Sequence, residues 1–588
     1  MVLKNGFVAD LIIDNDKKFG PKSCYDITTS NIIFSSQRAS HEAQVMAGAN
    51  QFLGKPISGP FTIPSGIVTT QPSIIARIAN DIPEIGVITT KSIGPVPRAG
   101  NKEPIYSQYA PGSFVNAVGL TNPGAENAAR NFGSLKLPED RFLLISIFGG
   151  NIDEFVDVAK MLAPFADGLE LNLSCPHAKG YGMAMGQDPG LVADIVSAVK
   201  ESVSIPIVPK LTPNTDRNEA VASAAASAGA DALCAINTVG PGAHTSYGHD
   251  VLSNGLGGLS GKGVLAMAQK CIRAIRSVTD LPIIGCGGVS SRQDVLAMKE
   301  AGAEIVGVGS ALSGMTTRQM KSYFRDLADC STNAQIDPAE DQVQYDLDMR
   351  FKPVTLVKTE TVCEDIALLH FEERFEIEAG EFVFLWVPGV GEKPFSILLD
   401  NPLTLVAIDV GHFTHEIQSL PPGTETYIRG PHGQPVDINS GQIPILVAGG
   451  TGLAAVYQIA RDFDDAIIFV GARTKERLYF LEECRKVAEV HVATDDGSEG
   501  YSGRVTDCLQ TYLAASPKDR LQNMRFFNCG PEPMVHAAIT VEQRFASQTQ
   551  IFSAIDYETK CGVGICGACA TPDGLRLCVD GPFLNPPN

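Results

Sequence analysis

The stretch LELNLSCP, residues 169–176, places a thiol where chemistry is favoured. Its spaced leucines predict a buried strand that ends in polar residues, and Pro176 then turns the chain at Cys175. A loop at a strand end is where reactive groups usually sit. The alternative is a core cysteine, because free cysteine is among the most buried residue types. We predict that Cys175 is a reactive thiol.

Four more cysteines lie close together near the end of the chain, in the pattern C-x4-C-x2-C-x8-C. They are Cys561, Cys566, Cys569 and Cys578. This spacing is typical of a plant-type [2Fe–2S] site, although the last gap is short and predicts a trimmed hairpin. Zinc is the alternative, but zinc cysteines usually come as two C-x2-C pairs.

The first half of the chain contains eight apolar runs separated by helix-like stretches. The runs are 61–66, 86–92, 143–150, 169–176, 205–213, 230–238, 282–289 and 305–312. Eight alternating β and α units over about 250 residues predict a TIM (β/α)8 barrel. Active sites in this fold gather at the C-terminal ends of the strands, which is where Cys175 falls.

Other unusual residues fall at the same strand ends. Lys91 and Lys210 lie in or after apolar strands, where a charge is costly without a partner. They predict an anionic or carbonyl-rich ligand, unless both side chains reach solvent. Glycine turns follow the seventh and eighth runs, where barrels often bind phosphate. A phosphate site beside a thiol favours FMN as the cofactor.

Composition limits the possible classes of protein. With 588 residues, the chain is too long for one core, so we expect three or four domains. A net charge of −20 argues against nucleic-acid binding. The sequence shows neither an apolar run long enough to span a membrane nor a signal peptide. We therefore expect a cytoplasmic protein, in which the 14 cysteines form no disulfide framework.

The second half has a different pattern. After residue 352, short alternating strands broken by Gly and Pro predict a small antiparallel barrel. PILVAGGTGLAAVYQIA (444–460) then predicts a strand, a glycine turn and a helix, a unit that can bind a pyrophosphate. The turn residues are Gly449, Gly450, Thr451 and Gly452.

The motifs of the first half resemble dihydroorotate dehydrogenase, most of all its NAD-linked, iron–sulfur-dependent branch. The matching motifs are KSIGPVPRAGNKEP, NAVGLTNPG, LNLSCPHAKGYG, VPKLTPN, INTVGPG and GGLSG. The resemblance implies that Cys175 is the base that removes the C5 proton of dihydroorotate, while the C6 hydride passes to FMN. Lys91 would lie between substrate and flavin, with both Cys175 and Lys91 catalytic. A thiol near pKa 8.5 is a usable base near neutrality.

The resemblance also assigns binding residues. Substrate contacts are implied for Asn116, Gly119, Leu120, Asn172, Asn237 and Thr238. FMN contacts are implied for Ser65, Gly66, Lys91, Asn172, Lys210, Gly261, Gly287, Gly288, Gly309 and Ser310.

The second half resembles the electron-transfer subunit that accompanies these enzymes, with a ferredoxin-reductase-like module followed by a [2Fe–2S] domain. EKPFSI (392–397) resembles the reductase flavin signature. It implies FAD contacts for Lys393, Pro394, Phe395 and Ser396, with Phe395 on the flavin ring, and Gly411 and Thr414 resemble its pyrophosphate turn. The GGTG turn would bind NAD, with Cys529 and Gly530 near the nicotinamide. Electrons would run from dihydroorotate to FMN, [2Fe–2S], FAD and NAD. A homodimer through the barrel is also implied.

The expected domains run from an N-terminal extension without assigned role to the cluster domain. Their bounds are 1–55 (extension), 56–330 (FMN barrel), 331–352 (linker), 353–437 (FAD barrel), 438–545 (NAD domain) and 546–588 (cluster domain). Two alternatives stay open. SCPH and the unmatched loop 243–255 favour a dihydropyrimidine dehydrogenase-type reduction of uracil or thymine by NAD(P)H. The other alternative is a redox-sensing flavoprotein without turnover.

Overall fold

Eight parallel strands of the computed structural model close into a barrel. They are Phe61–Thr62, Ile85–Thr89, Phe142–Ile147, Gly168–Asn172, Ile207–Leu211, Leu233–Ala235, Ile283–Cys286 and Ile305–Gly307. Each strand pairs with its neighbours in sequence, and the last pairs with the first. The helices that follow them are Pro72–Asp81, Ala125–Gly133, Ile152–Leu162, Pro189–Ser202, Asn218–Ser227, Leu265–Arg276, Arg292–Glu300 and Thr317–Ala328. The predicted TIM barrel is confirmed.

The structure describes residues 51–174, 182–329, 347–555 and 558–586. All of these residues belong to one compact unit. The predicted base Cys175, most of the N-terminal extension and most of the linker lie outside the described residues. Within the described ranges, no helix combines the length and apolar character needed to cross a membrane.

The lower end of the barrel begins earlier than the predicted boundary at residue 56. A short hairpin, Gln51–Phe52 with Lys55–Pro56, inserts Phe52 into the barrel core. The Phe52 ring meets Phe142 edge-on, with 5.1 Å between the ring centroids. The last residues of the predicted extension therefore belong to the barrel.

A four-stranded antiparallel sheet covers part of the C-terminal end of the barrel, which we call the mouth. In spatial order its strands are Val239–Ala243, Leu256–Gly261, Ser113–Asn116 and Tyr106–Ala110. The loop 243–255 forms a small hairpin between the first two of these, Thr245–Ser246 with His249–Asp250. Tyr247 at its tip stacks on Tyr427 at 5.0 Å, so the hairpin packs on the next domain.

The next domain is a curled antiparallel sheet of seven strands. They are Lys352–Cys363, Ile366–Phe371, Phe382–Val387, Gly391–Phe395, Ile397–Asp400, Leu403–Ile408 and Glu425–His432, with one short helix, His412–Gln418. Its two edge strands are consecutive in the chain and are separated only by Ser396. The sheet therefore curls into the predicted barrel shape around an apolar core that includes Val383, Leu405 and Ile428.

A parallel six-stranded sheet follows. Its strands are Ile443–Gly449, Ile467–Ala472, Glu489–Thr494, Tyr501–Ser502, Met524–Cys529 and Ile551–Ala554, and its helices are Gly452–Asp462, Leu481–Val487, Val505–Ala515, Lys518–Asn523 and Glu532–Glu542. Because Ile551–Ala554 pairs with Met524–Cys529, this α/β domain extends past the predicted boundary at 545. The remaining segment carries the four clustered cysteines and a short helix, Leu577–Asp580.

Glu542, at the end of a helix of the α/β domain, is buried beside polar side chains. Asn528 Nδ2 donates to its Oε2 at 2.9 Å and also contacts Ser553 Oγ at 3.2 Å. Burial raises the pKa of Glu542 to about 8. The unfolded carboxyl titrates near pH 4.3, so folding takes up a proton between these values. The stabilising contribution is complete below about pH 4 and is lost as the pH rises through 8.

We therefore expect Glu542→Gln to gain stability relative to the wild type as the pH rises. The gain should approach about 1.4 kcal/mol per pH unit between the two pKa values. The measurement is the difference in melting temperature between variant and wild type at about pH 5.5 and about pH 8. Glu532→Gln, at an exposed position on the same helix, is the control. An equal difference at both pH values would contradict the expectation.

Candidate active site

A chain of polar contacts crosses the mouth of the TIM barrel. Lys210 Nζ lies 3.8 Å from Glu170 Oε1, and Ser146 Oγ donates to that same oxygen at 2.8 Å. Ser92 Oγ lies 2.9 Å from Ser146 Oγ, and Asn172 Nδ2 donates to Ser92 Oγ at 3.0 Å. Three neighbouring strands and the loop after the second strand thus connect a lysine to an asparagine, two residues predicted for the site.

Lys210, at one end of this row of polar contacts, keeps its positive charge inside the barrel. Lys210 is 5% exposed and Glu170 is 1% exposed. Burial opposes the charge of Lys210, but the Glu170 carboxylate and the Cys234 and Cys286 thiols outweigh it and raise the pKa of the ammonium. The barrel therefore presents a fixed cation beneath its mouth. Glu170 was not among the residues predicted from the sequence, although a charge within the apolar strand LELNL is a signal of the same kind as Lys210.

Removing the Glu170 carboxylate should destabilise the barrel strongly. Glu170→Ala leaves Lys210 buried without its counter-charge, which typically costs about 3–5 kcal/mol. Glu170→Gln, which can still accept from Ser146, should cost less. The change in the free energy of unfolding is measured by urea unfolding of the full-length protein. Pulse proteolysis reports the folded fraction through peptides of the TIM barrel. Glu304→Ala, an exposed carboxylate before the last barrel strand, is the control, and an equal cost for both alanine variants would contradict the role of the ion pair.

The predicted asparagines meet at the end of the fourth strand. Asn237 Nδ2 donates to Asn172 Oδ1 at 3.0 Å, and the Ser174 amide donates to the same oxygen at 3.2 Å. These bonds hold the chain just before position 175, so the predicted base follows a well-anchored strand end. The hydroxyl of Ser174 is buried without a hydrogen-bond partner among the described residues.

The other predicted substrate residues lie in the sheet over the mouth or in the loops beside it. Asn116 Nδ2 donates to the Gly258 carbonyl at 3.1 Å, within the sheet over the mouth. Thr238 donates its amide to Asn237 Oδ1 at 2.9 Å. Gly119 and Leu120 both have positive φ, 83° and 55°, which forms a sharp turn in the loop that follows Asn116.

Seven of the ten predicted flavin residues lie after the first, sixth, seventh and eighth barrel strands. Ser65 Oγ lies 2.9 Å from Ser92 Oγ, which joins it to the polar chain. A Cβ on Gly288 would lie 2.7 Å from the Gly261 carbonyl, so these two loops approach closely only because residue 288 is glycine. Gly66 and Gly287 have positive φ, while Gly309 precedes the short 3-10 turn Ser310–Leu312. Backbone amides without side chains suit a phosphate.

Lys91 lies between the mouth and the C-terminal cysteines. Its amide donates to the Thr69 carbonyl at 3.1 Å, and the neighbouring Val68 amide donates to the Ile565 carbonyl at 2.8 Å. The side chain is half-buried. Burial lowers the pKa of its ammonium, against the opposing effect of the Cys566 and Cys561 thiols.

The segment 561–578, here called the cysteine loop, docks on the mouth of the TIM barrel. Gly314, after the eighth strand, donates its amide to the Val563 carbonyl at 3.0 Å. Arg576 Nη2 donates to the Met315 carbonyl at 2.9 Å. Loops after the first and last barrel strands therefore both contact the cysteine loop, which places its thiols beside Lys91.

The four thiols of the cysteine loop are buried and in mutual contact. Cys569 Sγ lies 3.4 Å from Cys578 Sγ, and the Cys561 thiol is hydrogen-bonded to the thiols of both Cys566 and Cys578. Backbone amides point at the sulfurs, as Gly564 does toward Cys578 at 3.1 Å. Within the described residues, no group of three or more His, Cys, Asp or Glu side chains has the geometry to hold a metal ion. Buried thiols with amide donors are the environment that an iron–sulfur cluster requires.

Two residues of the predicted flavin signature of the antiparallel barrel already make contacts within the protein. Lys393 Nζ pairs with Glu103 of the TIM barrel at 3.0 Å, and Lys560 pairs with the same carboxylate at 3.4 Å. Phe395 is buried in the core of the antiparallel barrel and faces Phe413, with 6.4 Å between the ring centroids. The alternation of the strand turns its ring inward, and a contact of Phe395 with the flavin stays a prediction.

The remaining residues of that signature lie at or near the barrel edge. Pro394 pairs with Phe384 on the neighbouring strand, and Ser396 joins the two edge strands. Thr414 Oγ1 accepts the amides of Val410 and Gly411 at 3.0 and 3.1 Å. Gly411 and Thr414 thus form the predicted turn, with the hydroxyl of Thr414 already engaged within it.

The glycine turn of the α/β domain is packed against a second turn. The strand Ile443–Gly449 leads through Gly450 and Thr451 into the helix that begins at Gly452. A Cβ on Gly452 would lie 2.1 Å from the Cys529 carbonyl. The GGTG turn therefore adjoins Cys529 and Gly530, as expected if both turns serve one nucleotide.

Together, the fold and site define an oxidoreductase in which a loop of buried thiols docks on the mouth of a TIM barrel, and the same chain carries a nucleotide-binding fold. Residues 48–328 match the family described as dihydroorotate dehydrogenase, and residues 446–540 match the oxidoreductase NAD-binding domain. The chain belongs to the dihydroorotate dehydrogenase family, as similarity to curated proteins also shows.

Three of these relatives share the name dihydroorotate dehydrogenase B (NAD(+)), catalytic subunit. The protein of Methanosarcina mazei is 42% identical over 261 residues, which cover 44% of this chain and 82% of the relative. That of Pyrococcus horikoshii is 40% identical over 266 residues, 45% of this chain and 85% of the relative. That of Methanocaldococcus jannaschii is 39% identical over 263 residues, 44% of this chain and 85% of the relative.

Proposed function

We propose that this chain oxidises dihydroorotate to orotate in pyrimidine biosynthesis and passes the electrons to NAD+. The observation that carries the proposal is the docking of the cysteine loop on the mouth of the TIM barrel, beside Lys91. This contact joins a dehydrogenase site to an electron-transfer arm within one chain. The names of the relatives and the NAD-binding domain agree with that assignment.

The barrel mouth fits FMN and a pyrimidine. Gly261, Gly287, Gly288 and Gly309 offer backbone amides to a phosphate, and Lys210 offers a fixed positive charge to the flavin ring. Asn116, Asn172 and Asn237 bring amide side chains that match the donors and acceptors of a pyrimidine edge. Leu173 and Ile236 are buried beside them, and this apolar surrounding strengthens the polar contacts to a ligand.

Proton removal is assigned to Cys175. The segment before it is held by Asn172, whose Oδ1 accepts from both Ser174 and Asn237. Lys91 and Lys210 supply positive charge near the mouth, and neighbouring cations favour the thiolate form of a cysteine. The base would take the C5 proton of dihydroorotate, since this carbon lies next to the ring carbonyl.

The second half fits the remaining cofactors. Cys561, Cys566, Cys569 and Cys578 would hold a [2Fe–2S] cluster, because they bring four buried thiols and amide donors together. The antiparallel barrel, through Pro394 and Ser396 at its edge and Gly411 with Thr414, would hold FAD, and the turn Gly449–Gly452 would hold NAD. When bound, the flavins supply two-electron chemistry and the cluster supplies one-electron transfer between them. The homodimer implied by the resemblance stays a prediction.

The alternative pyrimidine reductase gains no support. It was motivated by the SCPH stretch, of which residues 175–177 lie outside the described residues, and by the unmatched loop 243–255. Tyr247 and His249 of this loop contact the antiparallel barrel. The unusual sequence is therefore explained by packing between domains. None of the relatives named above is a dihydropyrimidine dehydrogenase or a redox sensor.

The test is anaerobic addition of dihydroorotate to the purified, oxidised protein, followed by visible absorbance. We expect rapid loss of flavin absorbance, and steady NADH formation once NAD+ is added. If NADH reduces the chromophores and dihydroorotate does not, the electron-transfer arm is supported and the substrate is wrong. Oxidation of NADH in the presence of uracil would instead support the pyrimidine reductase.

A further inference from the structure

A buried ion pair in the antiparallel barrel faces the cysteine loop. Arg429 Nε donates to Glu392 Oε1 at 2.6 Å, and Nη2 donates to Glu392 Oε2 at 2.9 Å. Each residue is 1% exposed. Such a bidentate pair has a fixed geometry, since the planar guanidinium matches the carboxylate in only one orientation.

The free edge of the guanidinium reaches the first clustered cysteine. Arg429 Nη1 donates to the Cys561 carbonyl at 3.0 Å. It also lies 3.1 Å from His432 Nε2, and the guanidinium carbon lies 4.1 Å over the Phe384 ring. The buried ring of His432 thus adds a further contact to the edge of the guanidinium. The cation is thus held in place on all sides.

The other cations near the cysteine loop come from other parts of the protein. Arg576 also contacts the cysteine loop, through the Gly564 carbonyl at 3.1 Å, but it belongs to the loop itself and is paired with Asp580 at 3.5 Å. Lys91 comes from the TIM barrel. Arg429 is the cation that the antiparallel barrel places against a cluster cysteine in the part of the chain described here.

A reduced [2Fe–2S] cluster carries one more negative charge than the oxidised cluster. A fixed positive charge nearby therefore stabilises the reduced cluster relative to the oxidised cluster, and a fixed negative charge destabilises it. Charge and hydrogen bonding around the sulfurs are established determinants of cluster potentials. Because the pair is buried, solvent screens it little.

We propose that Arg429 is a positioning residue that raises the reduction potential of the cluster held by the cysteine loop, and that Glu392 moderates this effect. The inference rests on the proposed function, since it requires the [2Fe–2S] cluster. It assigns to the antiparallel barrel a second task besides flavin binding. The barrel orients the Cys561 end of the loop and sets how readily the cluster accepts an electron.

The two members of the pair give opposite predictions. Arg429→Gln removes the cation and should make the cluster harder to reduce, by about tenfold in the reduction equilibrium, or about 59 mV for one electron. Glu392→Gln leaves Arg429 in place and removes the opposing carboxylate, so the cluster should become easier to reduce by a similar factor. A purely structural pair would shift both variants in the same direction.

The measurement is a redox titration of the full-length protein, with the reduced cluster followed by electron paramagnetic resonance. The matched control is the pair Arg477–Asp365, which is also bidentate at 2.8 Å for both bonds but joins the turn after strand Lys352–Cys363 to the α/β domain. Arg477→Gln and Asp365→Asn should leave the potential unchanged. Shifts of equal sign in the two test variants, or no shift in either, would overturn the proposal.

A third variant covers loss of the cluster on substitution. Arg429→Lys keeps the charge and should keep the potential close to that of the wild type. If Arg429→Gln does not retain a cluster, the comparison of Arg429→Lys with Glu392→Gln decides, and an unshifted Glu392→Gln overturns the proposal. A wild-type protein without a [2Fe–2S] signal would instead refute the cluster in the proposed function.

Discussion

Replacing Cys175 with serine is expected to slow the reduction of bound flavin by dihydroorotate by about 10²–10⁴-fold, the usual contribution of a general base. A serine hydroxyl is far too weak an acid to be deprotonated near neutrality, whereas a thiol is not. The substitution conserves size, and Asn172 holds the preceding segment through Ser174. We therefore expect flavin content to be unchanged.

Stopped-flow absorbance under anaerobic conditions measures this rate. The control is Cys508→Ser, a half-buried thiol on the helix Val505–Ala515 of the α/β domain, which should bleach at the wild-type rate. Reduction of the Cys175 variant at more than a tenth of the wild-type rate would show that another group removes the proton. The pH profile adds a second criterion, because the rate of the wild type should rise as the thiol ionises.

Replacing Cys566 with alanine should abolish dihydroorotate-dependent NAD reduction. Bleaching of the flavin in the TIM barrel should survive, because the site at its mouth does not use this thiol. NAD reduction should be lost because the cysteine loop lies between Lys91 of the TIM barrel and Arg429 of the antiparallel barrel. Loss of one of the four proposed cluster ligands should break the proposed one-electron step between the two flavins.

The measurement compares NADH formation with single-turnover flavin bleaching in the same preparation. Ile565→Val is the control, since residue 565 is buried beside Cys566 and its substitution changes packing without removing a thiol. Continued NADH formation in the Cys566 variant would place the electron path elsewhere. Loss of bleaching as well would indicate that the loop is required for the barrel to fold.

The periodic parts of this fold could be predicted from the sequence. Runs such as LLISIFGG and IPIVPKLTP mark barrel strands because both faces of such strands are buried. The strand–glycine–helix turn at Gly449–Gly452 was predictable for a similar reason, since helix and strand approach there without side chains. Both features depend on residues close together in the chain.

Features that depend on distant residues could not be predicted. A motif gives the identity of Phe395 but not the face of the strand on which it lies, and the structure places it in the core. Glu392 and Arg429 are 37 residues apart, and Glu103 and Lys393 are 290 residues apart. Pairing over such separations follows from how domains dock, which local patterns do not encode.

The two lysine pairs of Glu103 bear on whether the halves of this protein need to be one polypeptide. A carboxylate of the TIM barrel holds Lys393 of the antiparallel barrel and Lys560 beside the cysteine loop. Tyr247 on Tyr427 adds a second bridge, and neither bridge uses the peptide between residues 329 and 347. Two separately synthesised pieces, 1–329 and 347–588, should co-elute as one complex. The fusion of the two halves would then ensure that they are made in equal amounts, while their own contacts hold them together.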